Sequence, residues 1–150
     1  SPLGPLLIAG DEAGLRLVHM DAAQPWTLAE NWEVARNQLD EVARQLDEYF
    51  AGKREQFQLT LAAPGTPFQR EVWNALQHIP YGTTCSYSEL AEKIGRPRAV
   101  RAVGTANGAN PISIIVPCHR VIGSNGTLTG YAAGVERKQL LLELEGAWLI

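Results

Sequence analysis

Cysteine is scarce in this chain: Cys85 and Cys118 are the only two among 150 residues. Two thiols cannot build a disulfide framework. With three histidines they also make a poor zinc site, because no C-x-x-C or H-x-x-x-H spacing occurs. No metal and no cofactor is expected, and a cytoplasmic chain with free thiols is the simplest reading. Long apolar runs are missing too. The longest, Ile112–Pro117, is far too short to span a bilayer, and no charged-then-apolar leader opens the sequence. Neither a membrane span nor a secretion signal is therefore expected. Repeats and low-complexity segments are absent. At 45% apolar, 19% charged and 7% aromatic, the composition excludes a disordered tail, a collagen-like repeat and a coiled coil. The length suits one ordinary domain, or two small lobes sharing a core.

Acidic residues are missing from one long window. The net charge is −3, yet no Asp or Glu lies between Glu92 and Glu136, where Lys93, Arg96, Arg98, Arg101 and Arg120 give +5. The rest of the chain holds 16 acids against 8 bases, with nine of the acids in residues 1–50. Such asymmetry marks one basic face, which fits either nucleic acid or a solvated helix with no partner.

The front half reads as a small antiparallel sheet with one covering helix. Leu3–Ala9 and Leu15–Met20 read as strands around a turn at Asp11–Gly14, and Gln24-Pro25 opens a loop. Leu39, Val42, Ala43, Leu46, Tyr49 and Phe50 recur at helical spacing between Val34 and Phe50, and Gly52 is the expected stop. Phe57, Leu59 and Leu61 alternate with polar residues and predict a third strand. The sequence Ala62–Thr66 is the expected boundary, giving lobes 1–63 and 64–150.

Beyond it, Thr66 and Gln69 form a capping box with Pro67 at the first helical position, and Pro80 ends that helix. Phe68, Val72, Ala75, Leu76 and Ile79 are its expected buried stripe. Ser86 and Glu89 form a second capping box, whose helix stops at Gly95. Arg96-Pro97 restarts a helix running to about Asn107. Two helices around a short glycine turn make the helix-turn-helix pattern, which any small helical lobe can also contain. The second helix is smooth, with Ala99, Ala102, Val103, Gly104, Thr105 and Ala106. Only Arg98, Arg101, Thr105 and Asn107 could reach a base edge. Such a surface suits close approach to the duplex backbone and minor groove with little sequence readout, or simply close helix packing. Ile112–Val116 predicts a buried strand leading to Cys118, and Glu136–Glu145 a last helix with Leu140, Leu141 and Leu144 inward.

A cysteine next to a histidine is a weak signal of nucleophilic catalysis, since most buried cysteines only pack. Side chains of neighbouring strand residues also point to opposite faces, so Cys118 and His119 cooperate only if the chain turns or a water bridges them. Glu145 opposes the macrodipole in the last turn of its helix; it is either solvated or paired with a cation such as His119.

The run Ile115-Val116-Pro117-Cys118-His119-Arg120-Val121 resembles the active-site signature of the O6-alkylguanine-DNA alkyltransferases. Pro67-Phe68-Gln69, Ser86-Tyr87, Arg101–Gly104, Asn110-Pro111, Gly130-Tyr131 and Leu144-Glu145-Gly146 fall at family spacing. The likeness is close over residues 66–146, looser over 1–61, and strongest to constitutive bacterial members. It implies an α+β fold: an RNase H-like sheet lobe, then a mainly helical lobe carrying the helix-turn-helix and the active-site cysteine. It implies irreversible, single-turnover transfer of an alkyl group from O6 of a flipped-out guanine to Cys118. His119 would act as base through a bridging water, Glu145 would orient it, and Asn110 would fix the turn. Tyr87 would contact the flipped guanine and its phosphate and donate towards N3. Arg101 would fill the space the base leaves, with Arg98, Ala102 and Thr105 beside it on the DNA. Tyr131, Ala132 and Ala133 would line the alkyl pocket, with Ala132 N–H facing O6 and the Cys118 and Val121 carbonyls facing the guanine amine. The implied partner is double-stranded DNA, met through its minor groove by a monomer. The metal ligands of some members have no counterpart, and Cys118 excludes the relatives that carry Trp and only bind lesions. Two other readings stand beside the resemblance: a cysteine hydrolase, and a helix-turn-helix DNA-binding protein without chemistry.

Overall fold

Asp11 sets the first turn. Its carboxylate accepts from the Ala13 N–H (2.9 Å) and pairs with Arg16 Nε (2.6 Å). This closes Leu6–Asp11 (β1) onto Gly14–Met20 (β2) as an antiparallel hairpin. Gly14 is required there: at φ +139°, a Cβ would lie 2.6 Å from the Thr60 carbonyl oxygen. The computed structural model describes residues 6–20, 36–126, 128, 131 and 134–147. Leu3–Pro5 of the expected first strand, the loop at Gln24-Pro25, the helix start at Val34, Gly130, and the pocket residues Ala132 and Ala133 lie outside them.

Helix Arg36–Phe50 (α1) buries Val42, Leu46 and Tyr49 at the spacing expected, and also Gln45. The Gln45 amide donates to the Gln58 carbonyl (3.2 Å) and accepts from the Gln58 N–H (2.9 Å). A side chain thus takes the backbone groups a sheet partner would take. Residues 57–61 are accordingly not the third strand their alternation predicts. They reach β2 through a single bridge, where Leu15 N–H donates to Thr60 (2.8 Å) and Ala62 N–H to Leu15 (2.7 Å).

Both capping boxes form. Thr66 caps Pro67–Leu76 (α2) and Ser86 caps Tyr87–Lys93 (α3). Trp73, outside the expected stripe, is buried in α2 and donates its indole N–H to the Ala106 carbonyl (2.8 Å). Gly95 (φ +73°) ends α3, with its own N–H on Glu92 and the Arg96 N–H on Ala91. The next helix, Val100–Gly108 (α4), begins three residues later than Pro97 predicts, because residues 97–99 form a turn first. Its two faces divide the small residues: Arg101, Ala102, Thr105 and Gly108 are exposed, while Val103, Ala106 and Asn107 are buried. The buried face provides the close helix packing expected of a smooth helix, the opposite face is exposed, and Asn107, being buried, does not reach a base edge.

Cys85–Ser86 (β3) pairs in parallel with Val121–Ile122 (β4), a ladder that turn residues around Cys85 concealed in the sequence. It sets Tyr87, the first residue of α3, beside the segment that carries Cys118. The last helix, Val135–Leu144 (α5), buries Lys138, Leu141 and Leu142, and leaves Leu140 47% exposed. The expected inward face of Leu140, Leu141 and Leu144 is thus rotated. What fixes the register is Glu145, the helix's C-terminal cap residue, which must face inward with Lys138 two turns before it. One core joins the segments, with Val18, Leu46, Val72, Ile112, Val121 and Leu141 in a single cluster. Each such apolar side chain contributes roughly 1.5–3 kcal/mol on burial. Backbone bonds also join them: Val18 N–H donates to Pro111 (3.0 Å), and Ser113 N–H donates to Val18 (3.1 Å). Among the described residues, no helix is long and apolar enough to cross a membrane.

Candidate active site

Asn110 shapes the segment before the cysteine. Its Nδ2 donates to the carbonyls of Val116 (2.8 Å) and Ile112 (3.4 Å), and its Oδ1 accepts from the Ile112 N–H (3.0 Å). Between these anchors Ile114 sits at φ 74°, a region β-branched residues rarely adopt. Ile112–Val116 is therefore a turn, not the strand its β-branched residues predict. Ile112, Ile114, Ile115 and Val116 are all buried, so the run is selected for burial on every side of the turn. Asn110 supplies bonds that a sheet would otherwise give.

Pro117 (φ −82°, ψ 63°) then leads into one turn of 3-10 helix, Cys118–Arg120, where Arg120 N–H donates to Pro117 (3.0 Å). Successive side chains of such a turn lie about 120° apart rather than on opposite faces. The turn that a Cys118–His119 pair needs is present, and Cys118 does not end a strand. The two side chains are buried and not directly hydrogen-bonded to each other.

Glu145 gathers three partners. His119 Nε2 lies 2.8 Å from Oε2. Arg120 donates Nε to Oε1 (2.8 Å) and Nη2 to Oε2 (3.0 Å). The Tyr49 hydroxyl donates to Oε2 at 2.6 Å. Arg120 also donates to the Ile79 carbonyl (2.7 Å) and lies over the Tyr81 ring (5.7 Å). The sequence reading placed Arg120 in the basic window and missed this role. The macrodipole argument could have found it: a carboxylate at a helix C-terminus calls for a cation, and a permanent one stood next to His119.

Burial alone would raise the Glu145 carboxyl, but the bonds from His119 and Arg120 prevail and hold it at about 2. An ionised Glu145 can only accept, so neutral His119 carries its proton on Nε2 and presents Nδ1 as a bare lone pair. That Nδ1 is buried and bonded to no protein group among the described residues. Burial lowers His119 below its usual value, Glu145 opposes this, and the Arg120 and Lys138 charges reinforce it. Imidazole is thus the resting form. Burial likewise pushes the Cys118 thiol up, against the pull of Asn110, Lys138 and Tyr131. The resting group is a thiol that needs a base, and a base of the right tautomer is the next residue.

Lys138, fully buried, was not anticipated. Burial brings it down to about 8, and the charge of Cys118 opposes that shift. The Tyr131 hydroxyl is buried near the thiol and raised first by burial and then by Cys118. Tyr87 is half-buried, its ring over Gly104 of α4, 3.8 Å from where a Cβ would stand. Val121 is buried, and its N–H bonds the Cys118 carbonyl, which also takes Asn107 Nδ2 at 3.4 Å. Arg98, Arg101, Ala102 and Thr105 are exposed around α4. Arg96 is tied to Glu71 (3.3 Å) and to the Phe68 ring (5.6 Å). Among the described residues, no cluster of three His, Cys, Asp or Glu could hold a metal.

The depressed Glu145 pKa makes stability depend on acid. The carboxylate contributes stability above its unfolded pKa near 4.5, and this is lost as pH falls towards about 2. The urea midpoint of the wild type should therefore drop more steeply across that window than that of Glu145→Gln. Equal slopes would mean that the cluster adds no net stability as an ion.

Two family models cover the chain. The 6-O-methylguanine DNA methyltransferase ribonuclease-like domain matches residues 1–63, and the DNA-binding domain of the same name matches residues 67–147. The methylated-DNA–protein-cysteine methyltransferase of Methanosarcina acetivorans is 53% identical over 148 residues, covering 98% of this chain and 95% of that one. The protein of that name from Mycobacterium tuberculosis is 50% identical over 145 residues, covering 97% and 88%. The crystal structure of M. tuberculosis OGT in complex with DNA superposes with a TM-score of 0.88 at 50% identity, covering 97% of this chain and 89% of that one.

Proposed function

The chain belongs to the 6-O-methylguanine DNA methyltransferase family, and on that premise we propose that Cys118 is the thiol that receives the alkyl group. The protein is an enzyme of direct-reversal DNA repair, a methylated-DNA–protein-cysteine methyltransferase that acts on O6-alkylguanine in DNA. One observation carries the choice of cysteine: the buried His119–Glu145 pair, adjoining Cys118, with an unbonded Nδ1 lone pair. Cys85 has no such neighbour among the described residues; it lies in the β3 ladder with Sγ 3.4 Å from the Ser86 carbonyl.

The thiol proton passes through a bridging water to His119 Nδ1, and Glu145 balances the imidazolium charge. The sulfur pair forms the S–C bond as the C–O6 bond breaks in line. The O6 pair flows into the purine, where the Tyr87 hydroxyl donates towards N3. The thioether does not revert, so each chain acts once. Asn110 holds the turn that aims the sulfur. Tyr131, Ala132 and Ala133 bound the alkyl group, and the Cys118 and Val121 carbonyls meet the guanine amine. The relatives do not favour a hydrolase or a chemically inert DNA-binding protein.

Duplex structure hides O6, so the nucleotide must leave the stack. The exposed face of α4 meets the minor groove with little sequence readout. Arg101 fills the gap while Arg98, Ala102 and Thr105 rest on the backbone, and one monomer suffices. Unstacking costs a few kcal/mol, so Arg101→Ala should slow repair of duplex DNA about tenfold or more. A free O6-benzylguanine base has no stack to leave, and the variant should react with it at the wild-type rate. Single-turnover rates at saturating duplex decide the point. Full recovery there would make Arg101 one phosphate anchor among several, with a correspondingly shallower salt dependence.

A further inference from the structure

The relay does not lie wholly in the lobe that carries the cysteine. Tyr49 belongs to α1, 96 positions before Glu145, is fully buried, and gives the shortest bond to that carboxylate at 2.6 Å. Its ring is locked against Phe50 (5.3 Å), Phe57 (5.5 Å) and Tyr81 (6.2 Å), which leaves the hydroxyl one direction. Glu145 Oε2 is crowded, since the same oxygen also meets His119 Nε2 and Arg120 Nη2.

We infer that Tyr49 is a positioning residue of the alkyl-transfer relay: its hydroxyl holds Glu145 Oε2 and limits how strongly that carboxylate draws on His119. The inference rests on the reading of His119 as the base. A carboxylate oxygen shared among three donors polarises each less than one shared between two. Arg120 has further anchors on the Ile79 carbonyl and on Oε1, so removing the Tyr49 hydroxyl leaves Oε2 to His119 Nε2 and the longer bond from Arg120 Nη2. Tyr49 stays protonated and so meets the carboxylate as a donor: burial, and then the Glu145 charge, push its hydroxyl far above the usual tyrosine value. The other ionisable groups around the pair are Arg120 and Cys118 of the 3-10 turn, Lys138 of α5, Tyr131, and Tyr81 with Glu55 near it. Replacing Tyr49 with Phe removes none of these groups, although Tyr131 also loses its electrostatic interaction with Tyr49.

Tyr49→Phe keeps the ring and removes the competitor. The His119–Glu145 bond then tightens and the imidazole holds its proton to higher pH. The acid limb of the single-turnover transfer rate should move up by about half a pH unit, a roughly threefold loss at a pH on the limb, with the plateau within about twofold. The His119 ring resonances in NMR should titrate higher by the same amount. That second measurement needs no alkyl transfer, so it separates failure of this inference from failure of the catalytic reading. A lowered melting temperature with both titrations unmoved would overturn it and leave Tyr49 as packing. Should the variant fail to fold, the wild type answers through its hydroxyl proton. A slowly exchanging Tyr49 hydroxyl in NMR, lost in Glu145→Gln, supports the bond, and a rapidly exchanging one overturns it.

Discussion

Cys118→Ser is expected to bind duplex DNA as the wild type does and to transfer no alkyl group at all. Serine nearly matches cysteine in shape, so the 3-10 turn and the Asn110 bonds persist, and an unchanged melting temperature would confirm it. The chemistry is lost because the thiol is already pushed up by burial and lies at the edge of what a lowered imidazole can deprotonate. A hydroxyl, several units more basic still, is out of reach. Mass spectrometry of wild type reacted with DNA carrying O6-methylguanine should place one methyl on the peptide containing Cys118. An adduct on Cys85, or free thiol regenerated over many cycles, would sink the assignment.

His119→Ala should slow transfer by about two to four orders of magnitude, the usual worth of a positioned general base. Glu145→Gln should approach that loss, and the double variant should be little slower than His119→Ala alone. The carboxylate acts only through the imidazole, so once the ring is gone it has nothing left to orient. Stability should behave differently. Removing Glu145 strands the buried Arg120 guanidinium, and breaking such a pair costs about 3–5 kcal/mol. Glu145→Ala should therefore unfold at much lower urea than His119→Ala. Cleanly multiplicative rate losses, with similar urea midpoints, would reduce Glu145 to a residue without a part in the relay.

The elements with local causes were legible in the sequence. Thr66–Gln69 and Ser86–Glu89 satisfy helix N-termini within four residues, so their capping boxes could be read directly. The pairing of His119 with Glu145 was one of two readings of a carboxylate at the wrong end of a helix, and the family resemblance implied it. What escaped was set by distant partners. Gln45 replaces a strand for residue 58, and Asn110 replaces one for 112–116, and neither substitution leaves a periodic trace. Leu140 looked inward because hydrophobicity ranks it above Lys138, yet α5 turns Lys138 and its cap residue Glu145 into the core beside the 3-10 turn. Arg120 was read as surface charge for the same reason: its counter-ion lies 25 positions away.

The reach of Glu145 also sets an order of assembly. Synthesis proceeds at about 5–20 residues per second, so Tyr49 emerges seconds before the carboxylate it will hold. Until α5 arrives, the Arg120 guanidinium and the His119 ring have no counter-charge and cannot enter the apolar interior without it. Contacts of such long sequence separation form late in folding. The hairpin turn and the two capping boxes, whose causes are local, can therefore form before the His119 ring has its counter-charge. A chain that stalls short of α5 lacks Glu145, so the closing of this ion cluster marks the moment at which the buried Arg120 and His119 gain their counter-charge.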